Sequence, residues 1–116
     1  MNNREKIQEE ARFKILRLLH ENPELTQREL GERVGISLGA VNYCLKALAE
    51  HGLVKVLNFA RNSTKSNYMY FLTPNGIAEK TRLTARFLRI KRREYDVLRE
   101  EIAALTREVG NVEASE

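Results

Sequence analysis

Two short helical patterns, joined by a turn that contains glycine, occupy Thr26–Gly52 and constrain the fold of this chain most. The first pattern opens with T-x-x-E, a capping box in which Thr26 and Glu29 each accept a backbone N–H of the other. Gly35 suits the left-handed residue that ends such a helix, and Ser37 suits the N-cap of the next. Two helices in this order, with a short turn between them, predict a helix-turn-helix motif.

The second of these helices, which we expect to end near Glu50, has two chemically different faces. Its predicted buried side consists of Val41, Cys44, Leu45 and Leu48. Its predicted outward side consists of Leu38, Gly39, Asn42, Tyr43 and Lys46. An Asn amide can pair with adenine, a lysine can reach guanine or phosphate, and a leucine can touch a thymine methyl. The outward side therefore predicts contacts to DNA, and the alternative is a face that is simply solvated.

Elements on both sides of this motif complete a winged-helix order. Residues 4–21 carry apolar side chains at helical spacing and predict an amphipathic helix. Residues 53–59 and 68–73 are rich in β-branched, aromatic and aliphatic side chains and predict a β-hairpin. Its tip contains Arg61 and Lys65 and no acidic residue, so we expect the tip to contact the phosphate backbone or a minor groove. The alternative is an ordinary exposed loop.

A long helix follows the break at residues 73–76. Side chains at alternating steps of three and four form a heptad seam, which we expect to pair with a second copy as a coiled coil. The predicted dimerisation residues on this seam are Leu88, Lys91, Tyr95, Leu98, Ile102, Leu105 and Val109. The alternative is that the helix folds back on its own body. We therefore predict a DNA-binding domain over residues 1–76 and a dimerisation helix over 77–116, with a frayed end from Val112 onward.

Composition limits the class of function. Residues 1–93 hold 18 Lys and Arg against 9 Asp and Glu, and residues 94–116 hold 2 against 7, so net charges of +9 and −5 make up the total of +4. A basic body favours a polyanionic partner. We find no nucleophile–base pattern, phosphate loop or metal-ligand spacing, and so expect no enzyme activity, no cofactor and no metal. Without a signal peptide or an apolar run of membrane length, we expect a cytoplasmic protein.

The stretches ENPELTQREL, GISLGAVNYCLKAL, GLVKVLNF and YFLTPNGI resemble the small MarR-family regulators associated with bacterial exopolysaccharide genes. The resemblance implies a homodimeric transcriptional regulator that binds double-stranded DNA at such genes. Because a two-fold dimer presents two recognition helices, we expect its site to be an inverted repeat. It places Ser37, Leu38, Gly39, Asn42, Tyr43 and Lys46 on the recognition helix. The wing lacks the usual Asp-x-Arg pair, and the usual N-terminal dimerisation helix is missing. We therefore expect dimerisation through the C-terminal helix alone and no small-molecule effector.

Three alternatives remain open on the sequence. A winged helix can bind a protein through the same outward face and use the coil for assembly. Tyr68 and Tyr70 on the hairpin are a weak platform for stacking single-stranded nucleic acid. Cys44 is either a small apolar core residue or a redox switch, and the second role would require an exposed thiolate beside positive charge.

Overall fold

The computed structural model describes residues 2–59 and 67–115. Its elements are α1 (Asn3–Glu21), α2 (Gln27–Val34), α3 (Leu38–Glu50), β1 (Val54–Phe59), β2 (Asn67–Leu72) and α4 (Pro74–Ser115). The two strands pair antiparallel, with Val54 opposite Leu72 and Val56 opposite Tyr70. The predicted class is confirmed: the protein is mostly helical, with one hairpin after a helix-turn-helix and a long C-terminal helix.

Side chains cap the two helices of the motif as the sequence predicts. The Thr26 hydroxyl accepts the Glu29 N–H at 3.1 Å, and the Glu29 carboxylate accepts the Thr26 N–H at 3.0 Å. Hydrogen bonds from the Thr26 backbone and then its side chain hold the pKa of the Glu29 carboxyl below its ordinary value. Gly35 ends α2 with a left-handed φ of 82°, and the Ser37 hydroxyl accepts the Ala40 N–H at 3.1 Å to start α3.

The body has one apolar core, to which α1, α2, α3, the hairpin and the first turns of α4 contribute. Its largest fully buried side chains are Ile15, Leu16, Leu19, Leu30, Val41, Leu48 and Leu83. Burying an aliphatic side chain of this size stabilises the fold by about 1.5–3 kcal/mol. Ile7 is 62% exposed, since the buried positions of α1 begin only at Glu9. Cys44, which the sequence predicts on the buried side of α3, is half-buried.

The chain divides into two compact units, one through Leu83 and one from Thr84 onward. The predicted boundary after Gly76 differs because α4 begins at Pro74 and its buried Leu83 still packs in the first unit. The end of α4 also differs from the predicted frayed segment, because the helix continues through Gly110 and Val112 to Ser115. One glycine costs a helix only about 1 kcal/mol relative to alanine, which a helix of 42 residues tolerates.

The hairpin and α4 meet the end of α3 at one compact junction. The Thr73 hydroxyl donates to the Gly52 carbonyl at 2.5 Å and accepts the Gly76 N–H at 3.0 Å. The Thr73 N–H donates to the Leu53 carbonyl at 3.0 Å. Thr73 therefore caps α4 instead of ending β2, which is why β2 ends one residue before the predicted position. A Cβ atom at Gly76 would lie 1.9 Å from the Leu53 carbonyl oxygen.

Replacing Gly76 should destabilise this junction. We expect Gly76→Ala to lower the free energy of unfolding by about 1–3 kcal/mol, because the added methyl overlaps a backbone carbonyl that cannot move without disturbing the Thr73 bonds. Thermal unfolding followed by circular dichroism measures the change. Gly110→Ala is the matched control, since a Cβ there meets nothing within 4 Å. Equal melting temperatures for Gly76→Ala and the parent would contradict the close approach.

Candidate nucleic-acid interface

Close packing between α2 and the start of α3 sets the position of the candidate recognition helix. Gly31, on α2, is buried. A Cβ atom on it would lie 3.0 Å from the Ile36 carbonyl oxygen and 3.4 Å from Cγ2 of Val41. The N–H groups of Gly35 and Ile36 both donate to the Gly31 carbonyl, at 2.8 and 3.0 Å. The turn between the helices is therefore tight, and α3 leaves it in a fixed direction.

The rotation of α3 about its axis is fixed by its buried side chains. Val41, Leu45 and Leu48 are 0%, 2% and 1% exposed. The residues predicted on the recognition helix are all exposed: Ser37, Leu38, Gly39, Asn42, Tyr43 and Lys46. None of these six residues is acidic. The structure thus brings together an amide, a phenol, an ammonium group and an apolar side chain on one surface, which is the set of groups that can contact base edges and phosphates in a major groove.

Arg28 is a cation of this surface that the sequence alone does not single out. It lies in the first turn of α2 and is exposed. Together with Glu32 and Leu38 it lines an open groove of about 420 Å³ between α2 and the beginning of α3. Arg28 therefore places a guanidinium beside the N-terminal end of the candidate recognition helix, with the acidic Glu32 in the same groove. The residues around Arg28 in the sequence predict only a capped helix. The proximity of Arg28 to Leu38 could not be predicted, because it depends on how α2 and α3 pack.

Tyr70 attaches the hairpin to the beginning of α2. Its hydroxyl accepts a hydrogen bond from Nε2 of Gln27 at 3.0 Å, and its N–H donates to the Pro23 carbonyl at 3.3 Å. The side chain is 7% exposed, so Tyr70 is not available for base stacking, whereas Tyr68 is 50% exposed. The predicted wing contacts, Arg61 and Lys65, lie outside the residues that the structure describes.

Cys44 has the environment of a packing residue. It is half-buried on α3, and burial raises the pKa of its thiol, with Arg12 acting less strongly in the opposite direction. A raised pKa leaves less of the reactive thiolate, which disfavours the redox alternative. Over residues 2–59 and 67–115, no three His, Cys, Asp or Glu side chains group together in a way that could hold a metal ion. Over the same ranges, no helix is both long and apolar enough to cross a bilayer.

The second unit carries the predicted seam on the surface of α4. Its apolar members are 50–63% exposed in the single chain: Leu88, Tyr95, Leu98, Ile102, Leu105 and Val109. Lys91 lies on the same stripe, where its Nζ forms an ion pair with Glu94 at 3.2 Å. An exposed apolar stripe of this length is unusual for a monomer and is typical of an interaction surface.

The comparisons with known proteins agree with this geometry. Residues 8–55 match the family model of the winged helix-turn-helix DNA-binding domain. The matched segment contains most of α1, all of α2 and α3 and the beginning of β1, and so includes the whole candidate recognition helix. Among curated protein sequences, none matches the chain.

Solved structures of transcriptional regulators share the fold. The PcaV transcriptional regulator from Streptomyces coelicolor is 26% identical over 70% of this chain and 58% of its own, with a TM-score of 0.61. The adhesin competence repressor AdcR from Streptococcus pyogenes is 20% identical over 78% and 65%, with a TM-score of 0.62. MarR from Staphylococcus aureus, solved with salicylate and kanamycin, is 22% identical over 83% and 67%, with a TM-score of 0.57.

The chain spans less than two thirds of the length of the PcaV structure that it matches. The similarities to AdcR and to MarR, at 20% and 22% sequence identity, concern the fold alone. The family match and the exposed face of α3 involve the same residues. Residues 8–55 therefore match a winged helix-turn-helix DNA-binding domain, within a fold that this chain shares with these transcriptional regulators.

Proposed function

We propose that this protein is a sequence-specific, homodimeric transcriptional regulator that binds double-stranded DNA. The observation that carries the proposal is the division of α3 into a fully buried apolar side and an exposed face without acids. In such a domain the second helix of the motif enters the major groove, and its exposed side chains meet base edges. Asn42 and Lys46 supply the groups for bases, while Tyr43 and Arg28 supply donors for phosphates.

The proposal extends to the family and the target. The sequence resemblance supports membership of the MarR family, and the resemblance to exopolysaccharide-associated members supports regulation of such genes. A regulator of this kind acts in the cytoplasm, and it carries out no catalysis. We propose no small-molecule effector for this chain. The salicylate and kanamycin of the S. aureus structure belong to that protein.

Dimerisation through α4 is the second part of the proposal. The exposed stripe from Leu88 to Val109 has the 3–4 spacing that a partner helix covers. A symmetric dimer presents two recognition helices, so its operator is an inverted repeat. Its half-sites lie about 10 base pairs apart, or a multiple of that distance.

A protein-binding winged helix is the second candidate, favoured by the exposure of Leu38 (53%) and Tyr43 (70%) on the same face. The dependence of the binding affinity on salt concentration distinguishes the two functions. DNA binding releases counterions, so its affinity falls steeply and linearly in a plot of log K against log salt, with a slope of about −0.9 per phosphate contacted. A partner held by Leu38 and Tyr43 through apolar contact would show little dependence on salt.

The recognition helix should determine specificity. On a site selected from genomic DNA fragments, Asn42→Ala and Lys46→Ala should each weaken binding by about 1–3 kcal/mol, because each removes a group that contacts a base edge. Fluorescence anisotropy measures the affinities. Lys14→Ala on α1 is the control for removal of one exposed lysine, and it should bind as the parent does. If both α3 variants keep the parent's affinity and specificity, the recognition helix is wrongly assigned.

The wing should act on all DNA alike. Arg61→Ala combined with Lys65→Ala should weaken binding to every duplex equally and reduce the salt slope by up to about 2, because each cation would neutralise one phosphate. Arg4→Ala combined with Lys6→Ala removes the same charge from the beginning of α1 and serves as the control. Weakening confined to one sequence, or an unchanged slope, would exclude the backbone role.

The seam should hold the dimer together. Leu98→Glu combined with Leu105→Glu should produce a folded monomer, because each carboxylate replaces an apolar side chain in a desolvated contact. Sedimentation measures the mass. The monomer should bind a half-site with a much smaller salt slope than the dimer shows on the full operator.

The matched control is Ala103→Glu combined with Gly110→Glu, which adds the same two charges seven residues apart on the outer side of α4. This control should remain dimeric and bind the full operator. A Leu98/Leu105 variant that still sediments as a dimer would show that the seam is not the interface.

A further inference from the structure

We propose that α4 pairs with α4 of a second copy as a parallel, in-register, two-stranded coiled coil, joined by Glu94 of one chain and Arg99 of the other. This inference rests on the proposed function, since it assumes that the seam dimerises. It adds the direction, the register and the pair of charges that selects them. The observations are the residue types on the seam and on its two flanks between residues 87 and 113.

The second half of the seam has the residue types of a two-stranded coil. With Leu88 at heptad position a, the a positions are Leu88, Tyr95, Ile102 and Val109, and the d positions are Lys91, Leu98 and Leu105. β-Branched residues at a with leucine at d favour two strands in parallel coiled coils. Ile102 and Val109 at a, with Leu98 and Leu105 at d, fulfil this rule through the second half of the seam.

The flanks of the seam carry opposite charges. Position g holds Glu94, Glu101 and Glu108, and position e holds Arg92, Arg99, Thr106 and Glu113. In a parallel pair, each g residue faces the e residue five positions later on the partner, and such pairs set orientation. Glu94 then faces the partner's Arg99, and symmetry makes this contact twice. Glu101 faces a threonine, and Glu108 faces Glu113 only in the last turns of the helix.

An antiparallel pair would bring like charges together. In that orientation g faces g and e faces e, so every charged g contact joins two glutamates whatever the register. When the seam overlaps fully, Glu101 faces its own symmetry mate, and so does Arg99. Like charges in contact are destabilising, so the flanks oppose this orientation.

The overall distribution of charge along α4 favours the antiparallel orientation, but this effect acts at longer range than the e and g contacts. The segment from Thr84 to Arg93 is basic and the segment after it is acidic, which by itself would favour an antiparallel arrangement. Arg86, Arg89 and Arg93 occupy the b and f positions, however, on the side of the helix away from the seam. Across a pair of helices they lie farther from the partner's acids than the screening length of about 8 Å at physiological salt.

The residues in direct contact therefore decide the orientation. The parallel pair sets Lys91 against its own counterpart at d but gains the Glu94–Arg99 pair twice. The antiparallel pair has no opposite-charge contact at e and g and sets Glu101, Arg99 and Glu94 against like charges.

The charges needed for the proposed contact are accessible in the single chain. The Glu94 side chain is 60% exposed, and its carboxylate pairs with Lys91, one turn earlier on the same helix. Arg99 is exposed, and over the residues that the structure describes it forms no ion pair within its own chain. A carboxylate can accept from more than one cation, so Glu94 keeps Lys91 while it accepts from the partner's Arg99.

Cysteine cross-linking tests the direction. In a Cys44→Ala background, Val109→Cys should form a disulfide-linked dimer on mild oxidation, since parallel in-register chains place the two residues side by side. In the fully overlapped antiparallel pair Val109 would face Lys91, and the two Val109 positions would lie roughly 27 Å apart. A disulfide requires Cα atoms within about 7 Å. Mixing Lys91→Cys with Val109→Cys tests the opposite direction, because only antiparallel chains link one variant to the other.

Neutral variants test the charges. Arg99→Gln should weaken self-association roughly 2- to 30-fold by sedimentation, because it removes two exposed ion pairs from the dimer. The double variant Glu94→Gln with Arg99→Gln should dimerise at least as tightly as the weaker of the two single variants, since both changes remove the same ion pair. Glu101→Gln is the matched control at the next g position and should leave the affinity unchanged. An antiparallel pair predicts the reverse, namely tighter dimers for both Arg99→Gln and Glu101→Gln.

The outcomes separate this inference from the proposed function. A 109–109 disulfide with weakening by Arg99→Gln supports the parallel pair. A 91–109 disulfide, or tightening by either neutral variant, overturns the orientation and leaves a dimeric regulator intact. A monomeric parent chain overturns both the orientation and the proposed dimer. DNA binding by the parent is measured separately, so its absence would contradict the proposed function without affecting the cross-linking result.

Discussion

The anchoring of α3 in the core is the constraint on which the rest of the site depends. Val41, Leu45 and Leu48 leave the helix one rotational setting, because any other would expose them and bury Asn42 or Lys46 without partners. Gly31 makes the setting possible by letting the turn approach α2 closely. The chemistry of the outward face is therefore a consequence of apolar packing on the opposite side. Packing of the buried side chains is therefore enough to orient the exposed face of α3.

A second constraint joins the hairpin to this motif at two places. Tyr70 links β2 to the beginning of α2, and Thr73 links the end of β2 to the turn after α3. Both bonds connect residues far apart in sequence, so they form only when the helices and the hairpin have reached their final arrangement. The two strands are thus held in a fixed position relative to the candidate recognition helix, and the end of the hairpin also caps α4.

Local signals in the sequence predict the elements well. The capping box, Gly35 and Ser37 act within a few residues of themselves, so their effect on α2 and α3 does not depend on the rest of the fold. The features that sequence reasoning misses depend on packing between elements. Arg28 beside Leu38, the buried side chain of Tyr70 and the half-buried Cys44 follow from how helices and strands approach one another. The end of α4 lies beyond its predicted position because a single glycine is a weak stop signal inside a long, regular helix.

In the proposed dimer, the exposed stripe on α4 also makes the oligomeric state of the protein depend on its concentration. When two chains must combine before both half-sites can be occupied, the concentration of the DNA-binding form rises with the square of the monomer concentration at low levels. Occupancy of an operator would then change sharply over a narrow range of expression. For a regulator of the proposed kind, abundance is itself a signal, set by synthesis and degradation.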